Sequence, residues 1–260
     1  MLKIESIKKS YENQGRTIEV FANFNLEIIG GEFIAIFGPN GCGKTTLLNM
    51  VGNIIEPDSG KISFDGKLLD SLKIGYVFQD YRSSLFPWLK VRDNILFPLK
   101  LQRLAKDERD KILEALCKKF GCSFDLDAYP YQLSGGQQQF TSLLRGLVIE
   151  PQVYLLDEPF SSLDYQTTLF MLEKLADIWQ KTKITTLFIS HEIDEAIFLA
   201  QKIVLLSNKP TNVVKIFQNP LPYPRKIGLL GTPEFAILKR EILNIYAQEI
   251  MQNNASSGIT

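Results

Sequence analysis

Histidine is nearly missing from this sequence: one residue, His191, stands among 260. Cysteine, with three residues, is almost as scarce. Three scattered cysteines make no even disulfide framework, and Cys117 and Cys122 are too few to build a metal site by themselves. A charge excess is absent as well, since lysine plus arginine and aspartate plus glutamate number 29 each. Nothing in that balance points to nucleic acid or to an anionic membrane surface as partner. Long hydrophobic runs are also lacking. Phe33 to Phe37 and Val153 to Leu156 fall far short of the roughly 20 apolar residues that cross a bilayer. The opening MLKIESIKKSY has no apolar core of a secretory signal, so a cytosolic, reducing location is expected. Any membrane contact is then made through another protein.

What is present is globular in composition, with 45% hydrophobic and 22% charged residues. Apolar or β-branched runs at Ile4–Ile7, Phe33–Phe37, Ile74–Phe78, Val153–Leu156, Thr185–Ile189 and Ile203–Leu206 read as strands. Several are continuous rather than alternating, which suits central parallel strands covered on both faces, and helical patterns separate the later ones. An α/β fold follows. Strand signals stop between Arg82 and Gly135, where 106–120 carries a helical stripe of Ile112, Leu113, Leu116 and Phe120. This predicts a helical subdomain over 82–145, inserted in a core of 1–81 and 146–231. Thr232-Pro233-Glu234 then supplies an N-cap, a first-turn proline and an acid, so a terminal helix is expected over 232–252. Residues 253–260 read as a frayed tail.

Gly38-Pro39-Asn40-Gly41-Cys42-Gly43-Lys44-Thr45 fits the P-loop pattern G-x-x-x-x-G-K-S/T, after a strand and before a helical run that continues through Thr46. Glycines let the backbone close around phosphate oxygens, and the helix N-terminus adds partial positive charge. Lys44 is expected to reach the outer phosphates and the Thr45 hydroxyl to ligate Mg²⁺. A thiol at such a helix start tends towards a lowered pKa, which makes Cys42 a candidate for modification.

Val153-Tyr154-Leu155-Leu156-Asp157-Glu158 is an apolar strand ending in two carboxylates, a Walker B pattern. Asp157 can hold the Mg²⁺ and Glu158 can polarise the attacking water. His191 follows the strand at 185–189 directly, a position suited to a γ-phosphate.

Leu133-Ser134-Gly135-Gly136-Gln137 resembles the signature motif of ABC ATPases. The resemblance extends to Tyr11 as the aromatic A-loop residue, Gln79 as the Q-loop, Ser161-Ser162-Leu163-Asp164 as the D-loop, and His191 as the H-switch. It implies a P-loop NTPase core with a mainly parallel sheet, an N-terminal antiparallel β part and a helical subdomain. It also implies a head-to-tail homodimer, in which Ser134, Gly135, Gly136 and Gln137 of one subunit close on ATP held by the P-loop of the other. Tyr11 would stack on adenine, Asp164 would lie at the same site, and Gln79 would sense Mg²⁺ or the attacking water. Phe140 departs from the pattern, standing where the family often has arginine.

Phe86-Pro87-Trp88-Leu89, Val91-Arg92-Asp93-Asn94, the run from Asp194 to Ala200 and Pro222-Tyr223-Pro224-Arg225 are similar to importers of nitrate, sulfonates, taurine and bicarbonate. That subgroup implies a separate integral-membrane permease, an external solute-binding protein, and a place on the cytoplasmic side of the inner membrane. A soluble ABC ATPase outside transport is the competing expectation. Translation-type members usually carry two ATPase units and repair-type members a long coiled coil; this sequence has neither.

Overall fold

The computed structural model describes residues 1–13 and 15–256. From the N-terminus run β1 (Leu2–Asn13), β2 (Arg16–Ile28), β3 (Phe33–Phe37), α1 (Lys44–Val51), β4 (Ser59–Phe64) and β5 (Lys67–Leu68). Next come β6 (Ile74–Val77), α2 (Tyr81–Ser84), α3 (Val91–Leu101), α4 (Lys106–Phe120), α5 (Gly135–Leu147), β7 (Val153–Asp157) and α6 (Tyr165–Thr182). The chain ends with β8 (Thr185–Ile189), α7 (Ile193–Leu199), β9 (Lys202–Leu206), β10 (Val213–Gln218) and α8 (Pro233–Ser256). Two compact units result, Met1–Leu72 with Thr185–Thr260, and Lys73–Ile184. The insert expected at 82–145 falls inside the second unit, which also takes in β6, β7 and α6.

In the first unit, β2, β1, β4 and β5 make an antiparallel sheet in that order. Here the sequence reading found only a fragment, Ile4–Ile7, because β1 and β2 alternate buried and exposed residues and are broken by register shifts. The parallel strands were easier to see. Every residue of β3 and β8 is buried, as continuous apolar runs covered on both faces require. β3 pairs parallel with both β8 and β9, and β10 closes antiparallel on β9.

Arg225, one of the residues that marked the importer resemblance, is buried and donates to the carbonyls of Ile197, Phe198 and Ala200, each at 2.9 Å. It satisfies the orphan carbonyls at the end of α7. α8 begins as expected, with Thr232 Oγ1 accepting from the Phe235 N–H at 3.3 Å. Its buried stripe of Phe235, Leu238 and Ile242 packs on its own unit, and Tyr246 meets Phe37 with ring centroids 5.1 Å apart. The helix continues past 252 to Ser256; the rest of the expected tail, 257–260, lies outside the described residues. None of the described helices is long and apolar enough to cross a membrane.

The second unit is built on the parallel pair β6 and β7 with α5 laid against it. Glycine is required at that approach: a Cβ on Gly75 would stand 2.4 Å from the Gly146 carbonyl oxygen. Buried Tyr154 of β7 donates its hydroxyl to the Leu143 carbonyl at 2.9 Å, fixing α5 along its axis. The start of α5 is thus held by strand packing at its far end.

Candidate functional site

In the first unit, the loop from Gly38 to Gly43 joins β3 to α1. Gly41 and Gly43 have φ of 74° and 113°, and a Cβ on Gly43 would stand 2.5 Å from Val20 Cγ1, so both conformation and space demand glycine there. The Cys42 N–H donates to the Pro39 carbonyl at 3.3 Å, and buried Thr211 donates its hydroxyl to the Cys42 carbonyl. Gly43 caps α1 without any side-chain hydrogen bond, which leaves the first turn of the helix open to an anion. Lys44 is buried with its ammonium curled into the loop, donating to the carbonyls of Gly38 at 2.9 Å and Pro39 at 3.0 Å. Asn40, Gly41 and Thr45 are exposed, Thr46 is half-buried, and Gly38 and Pro39 are buried. Such a cradle fits a polyphosphate.

The thiol of Cys42 departs from expectation. Burial pushes its pKa up, outweighing the Lys44 charge beside it, so it is neither exposed nor thiolate-prone. Tyr11, in β1 opposite Ile18, is exposed with the Lys9 ammonium 5.6 Å from its ring centroid. His191 is exposed just past β8.

In the second unit, β7 delivers Asp157 and Glu158, both buried. Glu158 adopts φ 46°, the left-handed region that a non-glycine residue seldom occupies. The turn after it explains how this is held: Ser161 donates both its N–H and its hydroxyl to the Glu158 carbonyl, at 3.2 and 3.1 Å. Gln79, two residues past β6, donates its amide to Glu158 Oε2 at 2.9 Å. Backbone conformation and a side-chain donor therefore fix the same carboxylate. Tyr76 stands near Asp157, and burial first and that charge second push its hydroxyl pKa up. No group of three or more His, Cys, Asp or Glu side chains among the described residues could hold a metal by itself. Mg²⁺ carried by a nucleotide needs only one or two carboxylates beside phosphate oxygens and water, which Asp157 suits.

The signature residues open α5. Exposed Ser134 is its N-cap, accepting from the Gln137 N–H at 3.4 Å, while Gln137 Oε1 accepts from the Ser134 N–H at 3.0 Å. This capping box leaves the N–H groups of Gly135 and Gly136 pointing out of the helix start. Asp164 caps α6 in turn, accepting from the Thr167 N–H at 3.0 Å and from its hydroxyl at 2.6 Å. Those bonds hold its carboxyl below the usual range. The two helix starts touch: a Cβ on Gly136 would meet Thr167 Cγ2 at 2.6 Å. Phe140, standing where the family often has arginine, is no surface residue: it is buried, edge-on to Phe124 at 6.1 Å, beneath the Lys174 ammonium.

Four residues that shape these sites had no structural role legible in the sequence. Thr211 and Thr167 carried no motif. Arg145 donates to the Ser84 carbonyl at 2.6 Å and so ties α5 to the segment after Gln79. Asn94 is fully buried; it accepts from the Phe86 N–H at 2.8 Å and donates to the carbonyls of Phe86, Leu89 and Lys90. A buried amide satisfied by one loop is legible only once the loop is built.

Comparison with known proteins agrees with this geometry. The family model described as ABC transporter matches residues 21–161. An uncharacterised ABC transporter ATP-binding protein of Methanocaldococcus jannaschii is 39% identical, over 97% of this chain and 93% of that one. An aliphatic sulfonates import ATP-binding protein of Bacillus cereus is 39% identical over 86% of this chain and 88% of its own length. Among solved structures, a dimeric bacterial ABC transporter cassette superposes with TM-score 0.73 at 30% identity, over 85% of this chain and all of that one (100%). The same cassette in a post-hydrolysis state bound to ADP and Pi gives 0.73 at 29%, with the same coverage of 85% and 100%. A component of an ABC transporter complex from Clostridium perfringens gives 0.75 at 26%, over 99% of this chain and 98% of that one. With the P-loop, the Walker B carboxylates and the signature helix each in place, the chain belongs to the ABC transporter family, as an ATP-binding cassette with ATPase activity.

Proposed function

We propose that the chain powers import of a small anion, of the sulfonate, taurine, nitrate or bicarbonate class, through a separate integral-membrane permease. An external solute-binding protein would deliver the solute, and the chain would sit on the cytoplasmic face of the inner membrane. Its similarity to the sulfonate import protein over 86% of its length supports the transport class.

The hydrolytic roles rest on one observation above all, the carboxylate of Glu158 held by Gln79 at 2.9 Å on a left-handed backbone. Glu158 is the base or polariser of the attacking water, and Gln79 keeps it aimed. Lys44 and the loop Gly38–Thr46 hold the phosphates. Asp157, Thr45 and Gln79 are the Mg²⁺ residues, and the ion's contribution is to offset charge on the phosphates. His191 stabilises the γ-phosphate as charge develops. Tyr11 stacks on the adenine. In a homodimer, Ser134, Gly135, Gly136, Gln137 and Asp164 complete the ATP site of the partner subunit.

The test is purification of the tagged chain from membranes in detergent, with uptake of a labelled alkanesulfonate, taurine, nitrate and bicarbonate measured in cells. Co-purification of a polytopic membrane protein, and uptake of one of these anions that Glu158→Gln abolishes, are expected. A chain that hydrolyses ATP but brings down no membrane protein would belong instead to the soluble ABC ATPases.

A further inference from the structure

Two cysteines sit where α4 reverses into the following loop. Gly121 ends the helix with φ 72°, and its N–H donates to the Cys117 carbonyl at 2.7 Å. The Cys122 N–H donates to the same carbonyl at 3.1 Å. A helix ending of this kind turns the chain back on itself and brings the side chains on either side of the reversal together. Here those side chains are both thiols, at the two positions that such a reversal brings together. Both are half-buried and within reach of a small molecule, whereas Cys42 is sealed in the phosphate loop.

We propose that Cys117 and Cys122 are a reversible thiol–disulfide site, oxidised to an intramolecular disulfide by small-molecule disulfides and restored by thiols. Cys117 is the attacking group, because its hydrogen bond with the Cys122 thiol holds its pKa below the ordinary thiol range. The same bond first, then burial, pushes Cys122 up, with Lys174 acting the other way. The Cys117 thiolate attacks one sulfur of the small disulfide, its S–S bond breaks, and one thiolate leaves. Cys122 then loses its proton and attacks the Cys117 sulfur, expelling the second thiolate. Two protein thiols are oxidised and one disulfide is reduced to two thiols.

The position gives the bond a consequence. Gly121, Ser123 and Phe124 form one wall of a cavity of about 310 Å³, and Ser134, Gly136 and Phe140 form another. Lys174 spans it, donating to the Phe120 carbonyl at 3.3 Å with its ammonium 5.8 Å from the Phe140 ring centroid. Closing the disulfide draws Cys122 towards α4 and shifts the wall that faces the start of α5. Lowered ATP turnover in the oxidised chain follows, and this part rests on the signature role proposed above.

The experiment treats the full-length chain with oxidised glutathione, then reads intact mass and a peptide map. The wild type is expected to lose two hydrogens, to keep no glutathione and to link 117 to 122, with Cys42 reduced; dithiothreitol reverses the change. Cys122→Ser is expected to retain one glutathione at 117. A wild type that stays reduced, or that keeps glutathione at 117 or 122, overturns the proposal without bearing on the ATPase reading. Hydrolysis by the reduced sample tests that reading separately. Turnover is expected to fall several-fold on oxidation and to recover on reduction, and full turnover in the oxidised chain overturns the control of activity.

Discussion

In the proposed reaction, hydrolysis turns on Glu158. Its carboxylate is buried, accepts from Gln79, and hangs on a backbone that only the following turn makes tolerable. Glu158→Gln keeps the shape and removes the charge proposed to polarise water. Turnover is expected to fall by about 10²–10⁴-fold, the usual span for loss of a general base, while nucleotide affinity measured by fluorescent-analogue titration stays within a few-fold. Gln79→Ala removes the donor rather than the base, so a smaller loss of kcat is expected with the ATP Kd again unchanged. If Gln79→Ala matched Glu158→Gln in weakening binding rather than turnover, the pair would be holding nucleotide and not aiming water. Lys44→Ala serves as the contrast, since it strips a cation from the phosphate loop and is expected to weaken ATP binding itself.

Among elements, the pairing of α5 with α6 shows what the sequence could and could not convey. The strand–loop–helix around Lys44 and the strand ending at Asp157 were legible because continuous apolar runs and fixed glycine spacing have one physical reading. Ser134 was legible as a helix start. That Gly136 must be glycine because Thr167 of α6 lies against it was not, since the contact joins residues thirty-one positions apart, as 167 less 136 gives. The extended β1–β2 pair escaped for a related reason, as half-exposed alternation with bulges carries a weak signal. Gly136→Ala sets two effects against each other. Alanine favours a helix over glycine by about 0.8–1.0 kcal/mol, but overpacking costs about 1–3 kcal/mol. Because the Thr167 hydroxyl is held by Asp164 at 2.6 Å, its methyl cannot simply swing away, and the clash wins. A net loss of thermal stability is expected by differential scanning fluorimetry. Gly136→Ala with Thr167→Ser, which keeps the hydroxyl and removes the methyl, is expected to recover it; failure to recover would place the cost elsewhere.

At the scale of the whole molecule the question is how nucleotide state reaches a partner. Gln79 bonds to Glu158, and the chain after it runs through α2 to Ser84, whose carbonyl and hydroxyl accept from Arg145 of α5 at 2.6 and 3.1 Å. The segment beyond, Phe86 to Leu89, is shaped by the buried amide of Asn94. Phe86 faces inwards, with its ring centroid 4.6 Å from that of Phe97 and the Arg145 guanidinium 5.8 Å from its centre. Trp88 does the opposite. It is 71% exposed, so it contributes little to the unit's own core, and a large apolar ring held on a fixed loop is the kind of side chain that anchors an interface. Trp88→Ala is therefore expected to leave the melting temperature and the basal ATPase rate of the isolated chain unchanged within error. Co-purification with the proposed permease and solute uptake are expected to fall, by more than tenfold if Trp88 is worth the roughly 2 kcal/mol of an interface hot spot. Asn94→Leu provides the second measurement. It leaves Trp88 in place but frees its loop, and should weaken assembly together with thermal stability, since the amide's three hydrogen bonds to backbone carbonyls and the one it accepts from the Phe86 N–H are lost. Assembly and uptake that survive Trp88→Ala would move the docking surface away from this loop, whereas a variant that melts early would show that the ring supports the unit's own packing.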